Sequence, residues 1–348
     1  MSSSVELNDI KAVVSEPICK ELFNSSVLIT GATGLIGSIF IKSHIELNKM
    51  QNANIKIYAL VRNEQKAKAL FGDEVNLVVS DIVTVTAFDF EFDYIFHGAS
   101  ITSSKDMVEK PVETIDIAIK GTENMLCAAR AQKNLKAFVY MSSLEVYGVT
   151  PPDLKIITEN DYGYIDQLNV RSSYSLGKRM VECLCVSYAS EYGVPVKIVR
   201  LTQTFGPGVA YNDGRVFADF ARCVIEGRDI ILHTKGETVR NYCYLSDAVT
   251  ALMTVAARGE IGQAYNIANE NSDISIYDMA EMLCSFFPEK GIKVVIEDNG
   301  NAAKMGYNPT VKIKLGTEKL RNLGWDAKVD LESMFKNLIE DMSYNKDC

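Results

Sequence analysis

The chain is predicted to be an α/β protein, a doubly wound parallel sheet with a smaller, interwoven C-terminal α/β region. Three observations predict this. Short apolar runs alternate with helical stretches of ten or more residues from Ser25 to Leu201, and that rhythm implies parallel βαβ units. A glycine-rich turn, Gly31-Ala-Thr-Gly34-Leu-Ile-Gly37, falls directly between the first apolar run and its helix. The chain has 348 residues, 47% hydrophobic and 23% charged. At that length folding buries roughly three quarters of the unfolded surface, so a core needs neither disulfide nor metal.

Residues 1–24 are polar with a few apolar positions and form an N-terminal arm, irregular or helical. VLIT (27–30) reads as a buried strand, followed by a helix through Ile45. IKIYALV (55–61), VNLVVSD (75–81), YIFHGAS (94–100), KAFVYMSS (136–143) and VKIVRL (196–201) read as five more strands. Between them lie helical stretches such as Thr114–Gln132 and Tyr174–Tyr192. After Phe205-Gly206-Pro207 the rhythm breaks: a helix over 217–227, a strand pair around Ile230–Tyr244, a helix at Ser246–Ala257, then helical and loop segments through Met342. The expected division is a nucleotide-binding region over 25–204, to which 237–265 returns, and a second region made of 205–236 and 266–348.

Lys plus Arg number 36 and Asp plus Glu 45, a net charge of −9. That balance argues against a nucleic-acid binder, whose affinity rests on basic charge. No apolar run reaches the roughly 18–20 residues that cross a bilayer. The N-terminus lacks a basic segment followed by an apolar one. Eight scattered cysteines (19, 127, 183, 185, 223, 243, 284 and 348) without a CxxC pair read as reduced thiols. His44, His97 and His233 show no metal-ligand spacing, so no metal is expected. These features point to the cytoplasm, with no membrane or nucleic-acid partner.

In the glycine turn, Gly31 suits the tight bend, Gly34 the close approach of a pyrophosphate, and Gly37 the packing of helix on strand. The helix N-terminus then offers free N–H groups to phosphate charge. Thr33, Leu35 and Ile36 complete the binding turn, making this a Rossmann-type site. The second strand ends Leu60-Val61-Arg62-Asn63, with no acid to accept from a ribose hydroxyl. Arg62 instead suits a 2′-phosphate, so the cofactor is NAD or NADP, with NADP favoured. Asp81 follows the third strand, placed to touch adenine or to cap a turn. Ile82 and Ala99 join the cofactor set.

Tyr174 and Lys178 form a YxxxK pair, four residues apart on one helical face. An ammonium beside a phenol favours the phenolate, so the expected tyrosine pKa is lowered toward that of a useful base. Lys178 is also placed to hold the nicotinamide ribose, and Ser143, ending the fifth strand, to bond the same substrate hydroxyl. Together with the glycine turn, these residues resemble the extended short-chain dehydrogenase/reductase family, which acts mainly on nucleotide-linked sugars. The resemblance runs from Val27 to Trp325 through HGAS (97–100), KPVETIDIAIKGTENML (110–126), SSLEVYG (142–148), QTFGP (203–207), RNYCYLSDAV (240–249) and LGW (323–325).

The resemblance implies oxidation of a sugar at carbon 4, with Tyr174 taking the hydroxyl proton. Glu145, two places after Ser143, matches the glutamate of sugar-nucleotide 4,6-dehydratases and UDP-glucuronate decarboxylases, and is a candidate acid/base at carbon 5. YNDGRVFADF (211–220) and the run ending GKR at 177–179 are similar to the decarboxylases. By the same resemblance Gln203, Arg215 and Arg240 bind substrate, the arginines holding a pyrophosphate or a sugar carboxylate. Leu144 stands where dehydratases often carry an acid or hydroxyl, which disfavours dehydration. The acid these decarboxylases carry at Val61 is missing, and Ala118 and Gln203 replace common asparagines. The leading expectation is a lyase acting on a UDP-sugar with recycled cofactor. A 4-epimerase is the alternative, then an NADPH-dependent keto-sugar reductase; a non-enzymatic sensor has no need of the trio. A homodimer through the helices of 114–132 and 174–192 is implied as well.

Overall fold

The computed structural model describes residues 2–85, 87–297 and 310–346. Helix α1 (Ser4–Val14) starts where the Ser3 hydroxyl accepts the Glu6 amide. Strand β1 (Ser26–Thr30) leads through the glycine turn into α2 (Leu35–Gln51), which ends at Asn52 in the left-handed region. Strand β2 (Lys56–Val61) is followed by Asn63, whose side chain caps α3 (Glu64–Phe71). Then come β3 (Asn76–Val79), β4 (Tyr94–His97), the short α4 (Ser104–Glu109) and α5 (Pro111–Ala131), opened by its proline. Strand β5 (Ala137–Ser143) runs into a 3-10 turn, and α6 (Ser172–Tyr192) closes on Gly193 at φ 69°.

The second half holds β6 (Val196–Leu201), β7 (Gln203–Phe205), α7 (Val216–Glu226), β8 (Ile230–Leu232), β9 (Val239–Tyr244), α8 (Leu245–Arg258) and β10 (Ala264–Ile267). It ends with β11 (Asn269–Ser275), α9 (Ile276–Phe286), β12 (Val294–Ile296), β13 (Lys312–Ile313), α10 (Glu318–Arg321) and α11 (Leu331–Lys346). Seven strands form one parallel sheet in the order β10-β6-β5-β4-β1-β2-β3. Alternation along β1 sends Val27 and Ile29 to one face, where α1, α2 and α8 bury them, and Leu28 to the other, under α5 and α6. The N-terminal stretch thus belongs to a core layer, with Ile10, Val13, Val14, Ile18, Cys19 and Leu22 all buried.

A second core gathers α7, α9 and α11 around Phe205, Tyr242 and Tyr244. Leu35, on the first turn of α2, packs against both cores, and the side of Gly208 that a Cβ would occupy lies 3.6 Å from its Cδ1. The Gly208 amide donates to Asp341 of α11 at 2.8 Å, and Ser3 donates to the same carboxylate. Trp325 donates to the Asp247 carbonyl (3.2 Å) and the Thr250 hydroxyl (3.0 Å), fastening the segment between α10 and α11 to α8.

The strand pair expected around Ile230–Tyr244 is corrected. β8 pairs in parallel with β12, and β9 pairs with β7, β11 and β13. Apolar alternation marks a strand but not its partner, and here every partner lies elsewhere in the chain. Strand β10, absent from the sequence reading, is a four-residue edge strand containing a buried asparagine. The seven described cysteines are free, with Cys127 and Cys183 exposed; Cys348 lies outside the described residues. Among the described residues no helix is long and apolar enough to cross a membrane.

Candidate active site

The carboxyl ends of β1, β4 and β5 surround one crevice, where the winding of the sheet reverses between β4 and β1. Gly31 adopts φ 69°, and a Cβ there would lie 2.7 Å from the Gly98 carbonyl carbon. A Cβ on Gly37 would lie 2.4 Å from the Gly31 oxygen. Gly34 has an ordinary φ of −81°, is exposed, and precedes α2 with no side chain capping the helix. The turn therefore presents bare backbone and open amides, which fits a pyrophosphate. Thr33, Leu35 and Ile36 are partly exposed on the same turn.

Beneath the turn, Thr30 Oγ1 accepts the Gly98 and Ala99 amides, both at 3.1 Å. Its one proton then points to His97 Nδ1 at 2.7 Å, and Nε2–H faces the Thr122 hydroxyl at 2.9 Å. Burial and the Lys178 charge push His97 down to about 3, so it is neutral and fixes the spacing of β1, β4 and α5. His97 belongs to the HGAS stretch, whose sequence alone does not reveal this structural task. Arg62 is exposed at the end of β2. Asp81 Oδ1 accepts the Val83 amide at 2.9 Å, the turn-capping arrangement of the two weighed for it. Ile82 is buried against Gly121, and its carbonyl accepts from Asn124 at 3.1 Å.

Ser143, Glu145, Tyr174 and Lys178 come together where β5 ends beside α6. Ser143 Oγ accepts the Glu145 amide at 3.2 Å and also shares a hydrogen bond with the Tyr174 phenol. The expected lowering of the Tyr174 pKa is corrected: its phenol is pushed up to about 12. Burial is the largest cause and the Glu145 charge adds to it, while the Ser143 bond and Arg171 pull the other way. Lys178 is buried, its amine donating to the Met141 carbonyl at 2.7 Å and lying 5.7 Å from the Tyr174 ring centre. Burial pulls that amine down to about 8, against the Glu182 charge.

Two residues of the run ending GKR, to which the sequence gives no role of their own, complete this corner. Arg171 grips the Glu145 carboxylate with both prongs, Nη2 to Oε1 at 2.8 Å and Nη1 to Oε2 at 3.1 Å, and Ser175 donates to Oε2 at 2.9 Å. Both lie within a helical turn of Tyr174, which was the available signal. Under the corner, Arg200 and Glu182 form a buried pair (Nη2 to Oε2, 2.7 Å), and Ser142 donates to Glu182 at 2.6 Å. That pair secures α6 to β5 and β6.

The three substrate candidates lie outside this hydrogen-bonded cluster, on β7, on β9 and just before α7. Gln203 is half-buried in β7. The Arg240 Nε is buried and has no hydrogen-bond partner among the described residues, an arrangement suited to a ligand anion. Arg215 is instead engaged with Asp213, Nε to Oδ1 at 3.0 Å and Nη2 to Oδ2 at 2.6 Å. Burial lifts the Asp213 carboxyl, but the Arg215 bonds outweigh it and hold it low. A ligand taking Arg215 must displace a carboxylate first.

The family model described as NAD dependent epimerase/dehydratase family matches residues 27–268. UDP-glucuronic acid decarboxylase 6 of Arabidopsis thaliana is 29% identical over 322 residues, 91% of this chain and 89% of that protein. Human dTDP-D-glucose 4,6-dehydratase is 26% identical over 328 residues, 91% of this chain and 90% of that protein. The structure of dTDP-glucose 4,6-dehydratase from Bacillus anthracis in complex with NAD superposes with a TM-score of 0.74 at 19% identity, covering 93% of this chain and 98% of that one.

Proposed function

The chain belongs to the NAD-dependent epimerase/dehydratase family, and from that premise we propose that it is a nucleotide-sugar lyase, decarboxylating UDP-glucuronate or a similar UDP-uronate through a 4-keto intermediate. The observation that carries this reading is the corner itself: a serine–tyrosine pair sharing a hydrogen bond, a buried lysine one turn on, and a carboxylate two residues past the serine. Gly31, Gly34 and Gly37 would receive the pyrophosphate of a nicotinamide dinucleotide and Lys178 would orient its ribose; when bound, that cofactor would supply reversible hydride acceptance at carbon 4.

Tyr174 accepts the carbon-4 hydroxyl proton while Ser143 holds the same oxygen. The ketone formed there makes the carbon-6 carboxylate a β-keto acid. The carbon 5–carbon 6 bond then breaks, its electron pair passes into an enolate, and carbon dioxide leaves. Carbon 5 takes a proton from solvent under the orientation of Glu145, and Tyr174 returns its proton to the carbon-4 oxygen. Decarboxylation needs no acid to expel water from carbon 6, which suits Leu144. The Arg240 Nε, without a partner among the described residues, suits a substrate anion.

Incubation with UDP-glucuronate and several nucleotide hexoses, followed by mass spectrometry, tests the reading. Loss of carbon dioxide is expected. Loss of water would make the chain a dehydratase, unchanged mass with a new sugar signal an epimerase, and gain of two hydrogens only with NADPH a reductase. The exposed Arg62 supports a preference for NADP, so Arg62→Ala should weaken NADP binding about tenfold and leave NAD binding unchanged in a titration. The free cysteines fit a reducing compartment such as the cytoplasm. The exposed Val112, Ile115, Met180 and Val186 on α5 and α6 suit a homodimer contact, measurable by light scattering.

A further inference from the structure

The proposed reaction asks two opposed things of the catalytic corner. Glu145 must reach carbon 5 as a carboxylate, yet its charge must not hold the proton on Tyr174, which feels it. One side chain bears on both demands, fixing the carboxylate and opposing its charge at Tyr174. Arg171 closes a two-pronged ion pair on Glu145 at 2.8 and 3.1 Å, and the Ser175 hydroxyl fixes Oε2 from the side at 2.9 Å. A forked, planar guanidinium sets both the position and the plane of a carboxylate, which an ammonium does not. Because Arg171, Tyr174, Ser175 and Lys178 share the start of α6, one helix carries the base and the group that aims its neighbour. The pair keeps 20% and 26% of its side-chain surface open, so a substrate can approach without breaking it.

We infer that Arg171, assisted by Ser175, is a positioning residue that aims the Glu145 carboxylate at carbon 5 and shields its charge from Tyr174. The inference rests on the nucleotide-sugar reading above and assigns roles within it. Arg171 itself touches neither the phenol nor the reacting carbon; it acts through Glu145.

Arg171 and Glu145 push Tyr174 in opposite directions, Glu145 raising its pKa and Arg171 lowering it. The two substitutions therefore separate. Arg171→Gln and Glu145→Gln should each slow deuterium incorporation at carbon 5 in heavy water, by about 10- to 100-fold. Oxidation at carbon 4 continues, so the absorbance of the reduced cofactor accumulates during turnover. The alkaline-rising limb of the pH–rate profile moves up in Arg171→Gln, which leaves the glutamate charge exposed, and down in Glu145→Gln, which removes it. The double variant should be no slower than either single one, because both act through one carboxylate. Arg171→Lys restores the charge without the fork and should recover the pH limb but only part of the carbon-5 rate. A purely structural role would lower melting temperature and slow both half-reactions together, with no opposed movement of the two limbs.

Carbon-5 incorporation at the wild-type rate in Arg171→Gln, or rate losses that multiply in the double variant, would overturn the inference and leave the lyase reading standing. A wild-type protein that converts no nucleotide sugar would overturn both. If Arg171→Gln fails to fold, Arg171→Lys decides alone: wild-type rates at carbon 5 sink the inference, and a partial loss with a restored pH limb supports it.

Discussion

The glycine turn after β1 and the catalytic corner at the end of β5 flank β4 in one sheet, and they are built by opposite means. The turn works by leaving side chains out: Gly31 and Gly37 have no room for a Cβ, and Gly34 leaves the backbone bare. The corner works by saturation, since each carboxylate oxygen of Glu145 carries a donor and the Lys178 amine is already spoken for. Spacing is therefore nearly the whole content of the turn, whereas the behaviour of the corner depends on which neighbours each group has found. Between them lies His97, which hydrogen-bonds to Thr30 before the turn and feels Lys178 of the corner.

The contrast is broken most sharply from the corner side. Tyr174→Phe removes one proton carrier and leaves the packing alone, so turnover should fall roughly a thousandfold while the melting temperature barely moves. Wild-type turnover would detach the tyrosine from the chemistry. On the turn side the damage should be to folding as well as binding. Gly31→Ala meets both a positive φ and a carbonyl 2.7 Å away. We expect it to cost roughly 2–3 kcal/mol of stability in denaturant unfolding and to abolish cofactor binding.

A third variant probes the link between the two. Burial and Lys178 hold His97 at about 3 in the folded state, against 6.5 in an open chain. The folded form refuses a proton that the unfolded chain accepts, so stability is present above pH 6.5 and drains away as pH falls toward 3. His97→Asn should lose about 1–3 kcal/mol at neutral pH and flatten that acid-side slope in unfolding measured across the window. The smallest effect belongs to Gly34→Ala. Its φ is ordinary and its Cβ would meet only the Gly31 oxygen at 3.1 Å. Stability should change by less than about 1 kcal/mol, while cofactor affinity drops about tenfold.

The same contrast explains what could be read before the fold was known. Gly31, Gly34 and Gly37 were legible because their function is their spacing, and Ser143, Tyr174 and Lys178 were legible as residue types in a fixed order. The state of Tyr174 was not. Spacing places a lysine four residues on, but burial and the Glu145 charge raise the phenol, and the Lys178 amine turns to the Met141 carbonyl. Arg171 was legible as the arginine that opens the run ending GKR, but not its task, because only the fold after β5 brings Glu145 to it. Six strands announced themselves as apolar runs. β10 did not, since a four-residue edge strand with a buried asparagine carries little pattern, and β8 and β9 could be recognised as strands but not matched to partners.

Leu35 touches two cores from the first turn of α2, next to the amide that would face a phosphate. A side chain shared this way acts as a rivet: whatever stills the nucleotide loop also stiffens the seam to the outer layer through Gly208. Trimming it to alanine would leave both interiors filled from their own sides yet let one slide on the other, so rapid amide exchange should spread from the loop into α7 and α11. Filling one crevice would then no longer be felt across the molecule.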